Sequence, residues 1–227
     1  MGSRMDKKLI IFDMDGTLID SAPSLAYAIN YMLKEVGKKE LPLERIRQFI
    51  GNGSAILAKK AYLNKHQFSD DELDEEEFKK AHKIFLDFYG ENLNAKTKLY
   101  PNTIETLEEL NNQGYITALV TNKPHQFVQP MLEHFNLANH FKEYIGASEK
   151  FTKKPAPDML LHICDKLNIA PKDAVMVGDS ANDVLAAKAA NIDSIAVTYG
   201  YYSGDIRELN PTVAVDNLIE IPKVLNG

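Results

Sequence analysis

The fold is indicated most strongly by Leu9-Ile10-Ile11-Phe12-Asp13-Met14-Asp15-Gly16-Thr17, in which an apolar run meets an acidic turn. Four apolar residues without polar alternation are typical of a strand that is covered on both faces, as in a parallel sheet. In open α/β sheets, ligands bind beyond the carboxyl ends of the strands. The stretch therefore predicts a buried parallel strand that leads directly into a candidate site.

The rest of the chain alternates apolar runs with helical stretches. We predict further strands at 115–120, 144–147, 174–177, 194–197 and 213–215, and helices at 102–112, 124–135, 157–167 and 182–190. This alternation favours an α/β fold with a doubly wound, mostly parallel sheet. Residues 22–95 break the pattern, because they contain periodic helical stretches and no clear strand. We therefore predict an α/β core at 1–21 and 96–227 with an inserted all-helical domain at 22–95.

Composition and charge indicate an ordinary globular chain of 227 residues, of which 44% are hydrophobic. The formal net charge of -6 provides no basic footprint for nucleic acid. No apolar run approaches the roughly 20 residues that cross a bilayer. The single cysteine, Cys164, cannot form an internal disulfide, and residues 1–5 contain no apolar signal-peptide core. We expect a cytoplasmic monomer or homodimer that binds neither nucleic acid nor a membrane.

Asp13 and Asp15 carry the first chemical signal. Two carboxylates at close range repel each other unless a cation or a proton lies between them. The pair therefore favours a divalent metal, with one acid as a nucleophile and the other as a proton carrier. An acidic turn at a strand end is also a common structural feature, so the pair needs support from other residues.

Three further polar groups follow in order. Thr121-Asn122 comes after a predicted strand, with Pro124 predicting a helix whose free N–H groups favour phosphate oxygens. Lys154 lies in Lys153-Lys154-Pro155-Ala156-Pro157, where prolines restrict the loop and hold a point charge suited to a phosphoryl group. Gly178-Asp179-Ser180-Ala181-Asn182-Asp183 adds two carboxylates after another strand. Each group has an ordinary structural explanation alone, but together they predict one phosphate site.

In this order, the four motifs resemble the haloacid dehalogenase superfamily. They are DMDGT at 13–17, TN at 121–122, KP at 154–155 and GDSxxD at 178–183. The resemblance covers essentially the whole chain and implies a Rossmann-like core. The helical insertion resembles the helical cap of that superfamily.

The resemblance implies a role for each motif residue. Asp13 is implied as the nucleophile that takes the phosphoryl group as an aspartyl phosphate. Asp15 then protonates the leaving oxygen and later deprotonates the water that hydrolyses the intermediate. Thr121 and Asn122 hold phosphate oxygens, while Lys154 neutralises the nucleophile and the transferring group.

The resemblance also implies Mg²⁺ as the cofactor, in a hard, all-oxygen site. Its ligands are implied to be the Asp13 carboxylate, the Asp15 backbone carbonyl and Asp179. Asp183 is implied either to support the water shell of the metal or to orient Lys154. Mg²⁺ and lysine together cancel the repulsion between a carboxylate and a phosphate dianion.

Two positions favour hydrolysis of a phosphate ester over other chemistry of the superfamily. The resemblance predicts no acid at position 15 in dehalogenases, whereas this chain has Asp15. Leu25 stands twelve residues beyond Asp13, where sugar phosphomutases of the same cap type carry a histidine. We therefore expect a phosphoric monoester hydrolase rather than a mutase.

Two segments, Ile50-Gly51-Asn52-Gly53 and Thr198-Tyr199-Gly200-Tyr201, resemble bacterial phosphoglycolate phosphatases. The Gly51-Asn52-Gly53 turn permits positive φ angles and presents backbone N–H groups to a small anion such as a carboxylate. A simple turn between two helices explains these residues equally well. The resemblance favours hydrolysis of 2-phosphoglycolate to glycolate and phosphate, with pyrophosphate, nucleotides and amino-sugar phosphates as alternative substrates.

Two functions of other classes remain as alternatives. A phosphorylatable signalling module also combines an acidic cluster with Thr and Lys, but such receivers lack a helical insertion and carry the acceptor Asp on a later strand. A binding protein without catalysis is disfavoured by the complete set of four motifs.

Overall fold

A computed structural model describes residues 7–227, which divide into two compact units. One unit contains the chain up to Asp20 together with Leu99–Gly227, and the other contains Ser21–Lys98. Residues 1–6, which include the segment expected to lack a signal-peptide core, lie outside the described residues. No helix in the described part of the chain is both long and apolar enough to cross a membrane.

Among the described residues, one sheet of six strands forms the centre of the larger unit. In spatial order its strands are β5 (Glu143–Ala147), β4 (Ile116–Pro124), β1 (Leu9–Phe12), β6 (Ala174–Gly178), β7 (Asp193–Val197) and β8 (Val213–Val215). Every neighbouring pair is parallel. The connecting helices are α5 (Thr103–Asn112), α6 (Val128–His134), α7 (Asp158–Lys166), α8 (Ala181–Ala189) and α9 (Ile221–Asn226). The predicted mostly parallel α/β fold is therefore confirmed.

Strand β1 is central because it pairs with β4 on one edge and β6 on the other. All four of its residues are fully buried, as expected for a strand covered on both faces. Leu9 and Ile11 belong to an apolar cluster with residues of α7 and α8, and Phe12 packs edge-on against Phe141. Phe12 is in register with Leu119 of β4 and Val177 of β6, so the carboxyl ends of all three strands meet at one edge.

The end of β4 differs from the prediction. A helix was expected from Pro124, but the strand continues through Thr121, Asn122 and Lys123 to Pro124, which pairs with Ala147 after a register shift. A 3-10 turn follows, and α6 begins only at Val128. Pairing with the neighbouring strand β5 thus extends β4 beyond the point where the proline suggested a helix.

The second unit is helical. Its α-helices are α1 (Ala22–Glu35), α2 (Leu43–Arg47), α3 (Ser54–Leu63) and α4 (Glu75–Glu91). Helix α4 begins at an N-cap, since Asp74 Oδ1 accepts the Glu77 N–H at 2.8 Å. The chain passes between the units at β2 (Ile19–Asp20) and β3 (Lys98–Leu99), which form a two-stranded sheet.

The complete burial of β1 predicts a large effect of truncation there. We expect Ile11→Ala to lower the free energy of unfolding by about 2–5 kcal/mol, because the change leaves a cavity in a packed core. The matched control is Ile219→Ala, since that side chain is 50% exposed and its loss should change stability by less than about 0.5 kcal/mol. Urea unfolding measures both, and equal losses would contradict the central position of β1.

Candidate active site

A buried lysine and two carboxylates form the centre of the site at the carboxyl edge of the sheet. Lys154 Nζ lies 3.0 Å from Asp13 Oδ1 and 2.6 Å from Asp183 Oδ1, and it donates to the Val120 carbonyl at 2.7 Å. All three ionic side chains are buried. The motifs at 13–17, 154–155 and 178–183, far apart in sequence, therefore meet in space.

Asn122 holds the Lys154 loop in place. Its Oδ1 accepts the Lys154 N–H at 2.9 Å, and its Nδ2 donates to the Lys154 carbonyl at 2.8 Å. The side-chain amide thereby satisfies both backbone polar groups of Lys154, in a loop whose Lys154–Pro155 peptide bond is cis. These contacts support a role for Asn122 in positioning Lys154, and its implied contact with phosphate oxygens stays a prediction.

Asp179 is held by partners from two other segments. Its Oδ1 accepts the Thr17 hydroxyl at 3.2 Å, and its Oδ2 accepts the Tyr201 N–H at 2.7 Å. A Cβ at Gly16, where φ is +87°, or at Gly200 would overlap the Asp179 carboxylate. Glycine at these two positions is what allows the backbone to approach Asp179 so closely.

Asp183 uses both of its oxygens within the protein. One oxygen bonds the Lys154 ammonium, and the other accepts the N–H of Ser180 at 3.0 Å and its hydroxyl at 2.6 Å. This places Asp183 in the first turn of α8, where a carboxylate is favoured by the helix dipole. Of its two implied roles, the contacts support orienting Lys154.

The carboxylates offer a set of oxygens that fits a hard divalent cation. One oxygen from each of Asp13, Asp179 and Asp183 lies within 4.8 Å of the others. Asp13 Oδ1 is buried and accepts no well-aligned hydrogen bond from the described residues, although the Lys154 ammonium lies beside it. All-oxygen donors of this kind suit Mg²⁺.

Burial and the neighbouring carboxylates both shift the pKa values of these groups. Burial raises the pKa of Asp13 to about 7, with Lys154 opposing the rise and the Asp183 and Asp15 carboxylates adding to it. Burial, followed by repulsion from Asp183 and Asp13, raises the pKa of Asp179 well above its ordinary value. Burial acts to lower the pKa of Lys154, but the Asp13 and Asp183 carboxylates outweigh it and raise that pKa. One ammonium does not balance the cluster, so a further positive charge is stabilised there.

Asp15 has a lysine partner that the sequence analysis missed. Lys123 Nζ lies 3.0 Å from Asp15 Oδ1 and 3.2 Å from Oδ2, and Lys123 is itself buried. Lys123 follows Thr121 by two residues on β4, so a strand extending past the TN motif would have placed both side chains on one face. The signal was missed because the strand was predicted to end before Thr121.

The remaining predicted site residues are uncharged and do not belong to the buried ionic cluster. Thr121 is buried, and its Oγ1 accepts the Lys123 N–H at 3.2 Å. Gly51 and Gly53 have φ angles of +122° and +89°, as expected for the turn that precedes α3 in the helical unit. The role of Gly51, Asn52 and Gly53 in substrate binding stays a prediction.

Comparisons of sequence and of structure both find similarity to hydrolases, among them proteins named phosphoglycolate phosphatase. The sequence profile described as haloacid dehalogenase-like hydrolase matches residues 10–197. The chain is 48% identical to a phosphoglycolate phosphatase of Psychrobacter arcticus, over 94% of this chain and 93% of that protein. It is 40% identical to one of Haemophilus influenzae, over 96% and 98%. The crystal structure of a predicted phosphoglycolate phosphatase from Haemophilus somnus superposes with a TM-score of 0.89 at 39% identity, covering 96% of this chain and 98% of the other.

The close approach of Gly200 to Asp179 predicts that a single methyl group disturbs the site. We expect Gly200→Ala to lower the free energy of unfolding by about 1–3 kcal/mol, because its Cβ overlaps a buried carboxylate. Gly204→Ala in the same segment is the control, since the nearest atom there is a Tyr202 ring carbon at 3.1 Å that can move aside. Urea unfolding compares the two, and equal stabilities would show that Gly200 is not tightly packed.

Proposed function

Because the chain belongs to the haloacid dehalogenase-like hydrolase family, we propose that it is a Mg²⁺-dependent phosphatase that hydrolyses 2-phosphoglycolate to glycolate and phosphate. The observation that carries this proposal is the buried cluster of Asp13, Lys154, Asp179 and Asp183 at the carboxyl edge of the sheet. The reaction is phosphoric monoester hydrolysis, as in the relatives named above. The helical unit would act as its cap, and the proposed location is the cytoplasm.

Asp13 is the proposed nucleophile. One of its carboxylate oxygens attacks phosphorus, the bond between phosphorus and the ester oxygen breaks, and the phosphoryl group passes to Asp13. Asp15 delivers a proton to the departing oxygen, so that an alcohol leaves. Asp15 then takes a proton from water, which attacks the aspartyl phosphate and releases inorganic phosphate. The bond between phosphorus and the Asp13 oxygen breaks in this second step, and only the two steps together return Asp13 to its carboxylate and Asp15 to its protonated form.

Lys154 reduces the repulsion between Asp13 and the incoming phosphate. Its ammonium lies 3.0 Å from Asp13, and Asp183 and Asn122 hold it there through side-chain and backbone contacts. Such pre-positioned charge is the main protein contribution to phosphoryl transfer.

The proposed metal site uses the Asp13 carboxylate, the Asp15 backbone carbonyl and Asp179. When bound, Mg²⁺ supplies positive charge to the phosphoryl oxygens. Two contacts to Asp179, from Thr17 and the Tyr201 N–H, restrain that carboxylate. Thr121 and Asn122 are proposed to hold oxygens of the substrate phosphate.

The choice of 2-phosphoglycolate rests on the relatives and on one turn. The relatives from Psychrobacter arcticus and Haemophilus influenzae are named phosphoglycolate phosphatases. In the helical unit, the Gly51-Asn52-Gly53 turn has glycines at positive φ, whose neighbouring N–H groups are suited to a carboxylate. The carboxylate of 2-phosphoglycolate is the proposed ligand of this turn.

Removal of the nucleophile should abolish turnover. We expect Asp13→Asn to lower kcat at least about 10³-fold, the scale on which loss of a nucleophile acts, while the protein remains folded. Asp87→Asn is the matched control, because Asp87 is an exposed partner of Lys83 on α4 and its change should leave kcat within about twofold. Steady-state phosphate release measures both variants. Appreciable residual turnover in Asp13→Asn would remove Asp13 as the nucleophile.

The substrate assignment is tested by ranking kcat/KM over a panel, since that ratio reports specificity. We expect 2-phosphoglycolate to exceed pyrophosphate, nucleoside monophosphates and amino-sugar phosphates by at least about tenfold. A chelator should abolish the activity and added Mg²⁺ should restore it. A different leading substrate would replace 2-phosphoglycolate, and a rate unaffected by chelation would contradict the metal site. A long-lived phosphorylated Asp13 without turnover would instead favour a signalling module.

A further inference from the structure

Lys123 is a buried cation in the catalytic unit that the four motifs leave without a role. Its Nζ contacts both oxygens of Asp15, at 3.0 and 3.2 Å, and its side chain is only 2% exposed. The Asp15 side chain is 13% exposed, so the pair lies largely out of water. The two lysines at the site therefore contact different acids, Lys154 at Asp13 and Asp183, and Lys123 at Asp15.

The burial of Lys123 makes this contact hard to break. An ammonium removed from water needs acceptor oxygens, which Asp15 supplies as a carboxylate and, through its unprotonated oxygen, also as a carboxylic acid. The Lys123 backbone is held as well, because the residue lies on β4 and its N–H donates to Thr121 Oγ1 at 3.2 Å. A cation that contacts both carboxylate oxygens from a strand position restrains the direction in which Asp15 points.

We propose that Lys123 is a positioning residue, which orients the Asp15 carboxyl toward the leaving oxygen of the substrate. This inference rests on the proposed function, because it assumes that Asp15 transfers the proton. A proton donor must lie within hydrogen-bond reach of the atom that it protonates, so its orientation matters directly. The contribution of Lys123 to kcat/KM should then be large for a leaving group that must be protonated and small for one that departs as an anion.

The test is a series of aryl phosphates with leaving groups of increasing acidity, from phenyl phosphate to 2,4-dinitrophenyl phosphate. We expect Lys123→Met, which keeps an unbranched side chain without the charge, to lower kcat/KM for phenyl phosphate about tenfold or more, because general acid catalysis contributes 10²- to 10⁴-fold. The value for the dinitrophenyl ester should fall less than about twofold, since that leaving group departs without a proton. Lys123→Arg, which retains the charge, should restore most of the loss.

A double-mutant cycle assigns the effect to Asp15. Asp15→Asn should show the same dependence on the leaving group, and adding Lys123→Met to it should cause less than about a twofold further change, because coupled residues are not additive. Lys166→Met is the matched control, since Lys166 forms a half-exposed ion pair with Glu143. It should leave the whole series unchanged.

Several results would overturn the proposal. An equal loss for every ester would show that Lys123 acts on the phosphoryl group or on the fold. A rise in KM confined to substrates with a carboxylate, with the aryl series unchanged, would show that Lys123 binds a second anionic group. If circular dichroism shows that Lys123→Met is unfolded, Lys123→Gln serves in its place with the same expected series. An unchanged series in either folded variant also contradicts the proposal.

Failure of this inference is distinguishable from failure of the proposed function. If the wild-type protein hydrolyses none of the phosphate esters with Mg²⁺ present, the proposed function is wrong, and so is the inference that rests on it. If the wild type hydrolyses the esters and Asp13→Asn does not, the proposed function is supported. The leaving-group series then tests only the role of Lys123.

Discussion

The ion pair between Lys154 and the Asp13 and Asp183 carboxylates is the interaction on which the site depends. Burying one carboxylate near another is unfavourable unless positive charge lies between them. Lys154 supplies that charge at 3.0 Å from Asp13 and 2.6 Å from Asp183, but Asp179 and Asp15 add two further acids nearby. Burial, together with the remaining negative charge, raises the pKa of Asp13 and of Asp179. The negative charge makes this edge of the sheet suited to a cation and then to a phosphoryl group.

The surrounding structure serves mainly to hold these charges in place. Parallel pairing of β1 with β4 and β6 aligns three strand ends, so that no long loop is needed to bring the acids together. Asn122 braces the Lys154 loop, and Ser180 braces Asp183. The glycines at 16 and 200 leave room for the Asp179 carboxylate. Such restraints keep the polar groups from reorganising during a reaction, which is how electrostatic preorganisation lowers a barrier.

Much of the fold and of the site could be predicted from the chain alone. The β1 run has no polar interruption, so its burial followed from its uniform hydrophobicity. Asp13 and Asp179 directly follow apolar strands, and Asp183 lies in the first turn of the next helix. The prediction failed at the end of β4, where Pro124 suggested a helix. There the pairing with β5 decided the outcome, because backbone hydrogen bonds from a neighbouring strand outweighed a local preference. Lys123 was missed for the same reason.

By itself, the sequence determined the class of fold and the identity of the acids and the lysine at the site, because hydrophobic periodicity and the residue types that follow each strand are local properties. Only the tertiary structure decided which carboxylate each lysine contacts. Lys123 pairs with Asp15, and Asn122 holds the backbone of Lys154, across 108 and 32 residues respectively. Contacts between such distant residues depend on strand register and on the direction of buried side chains, and neither is encoded within a single motif.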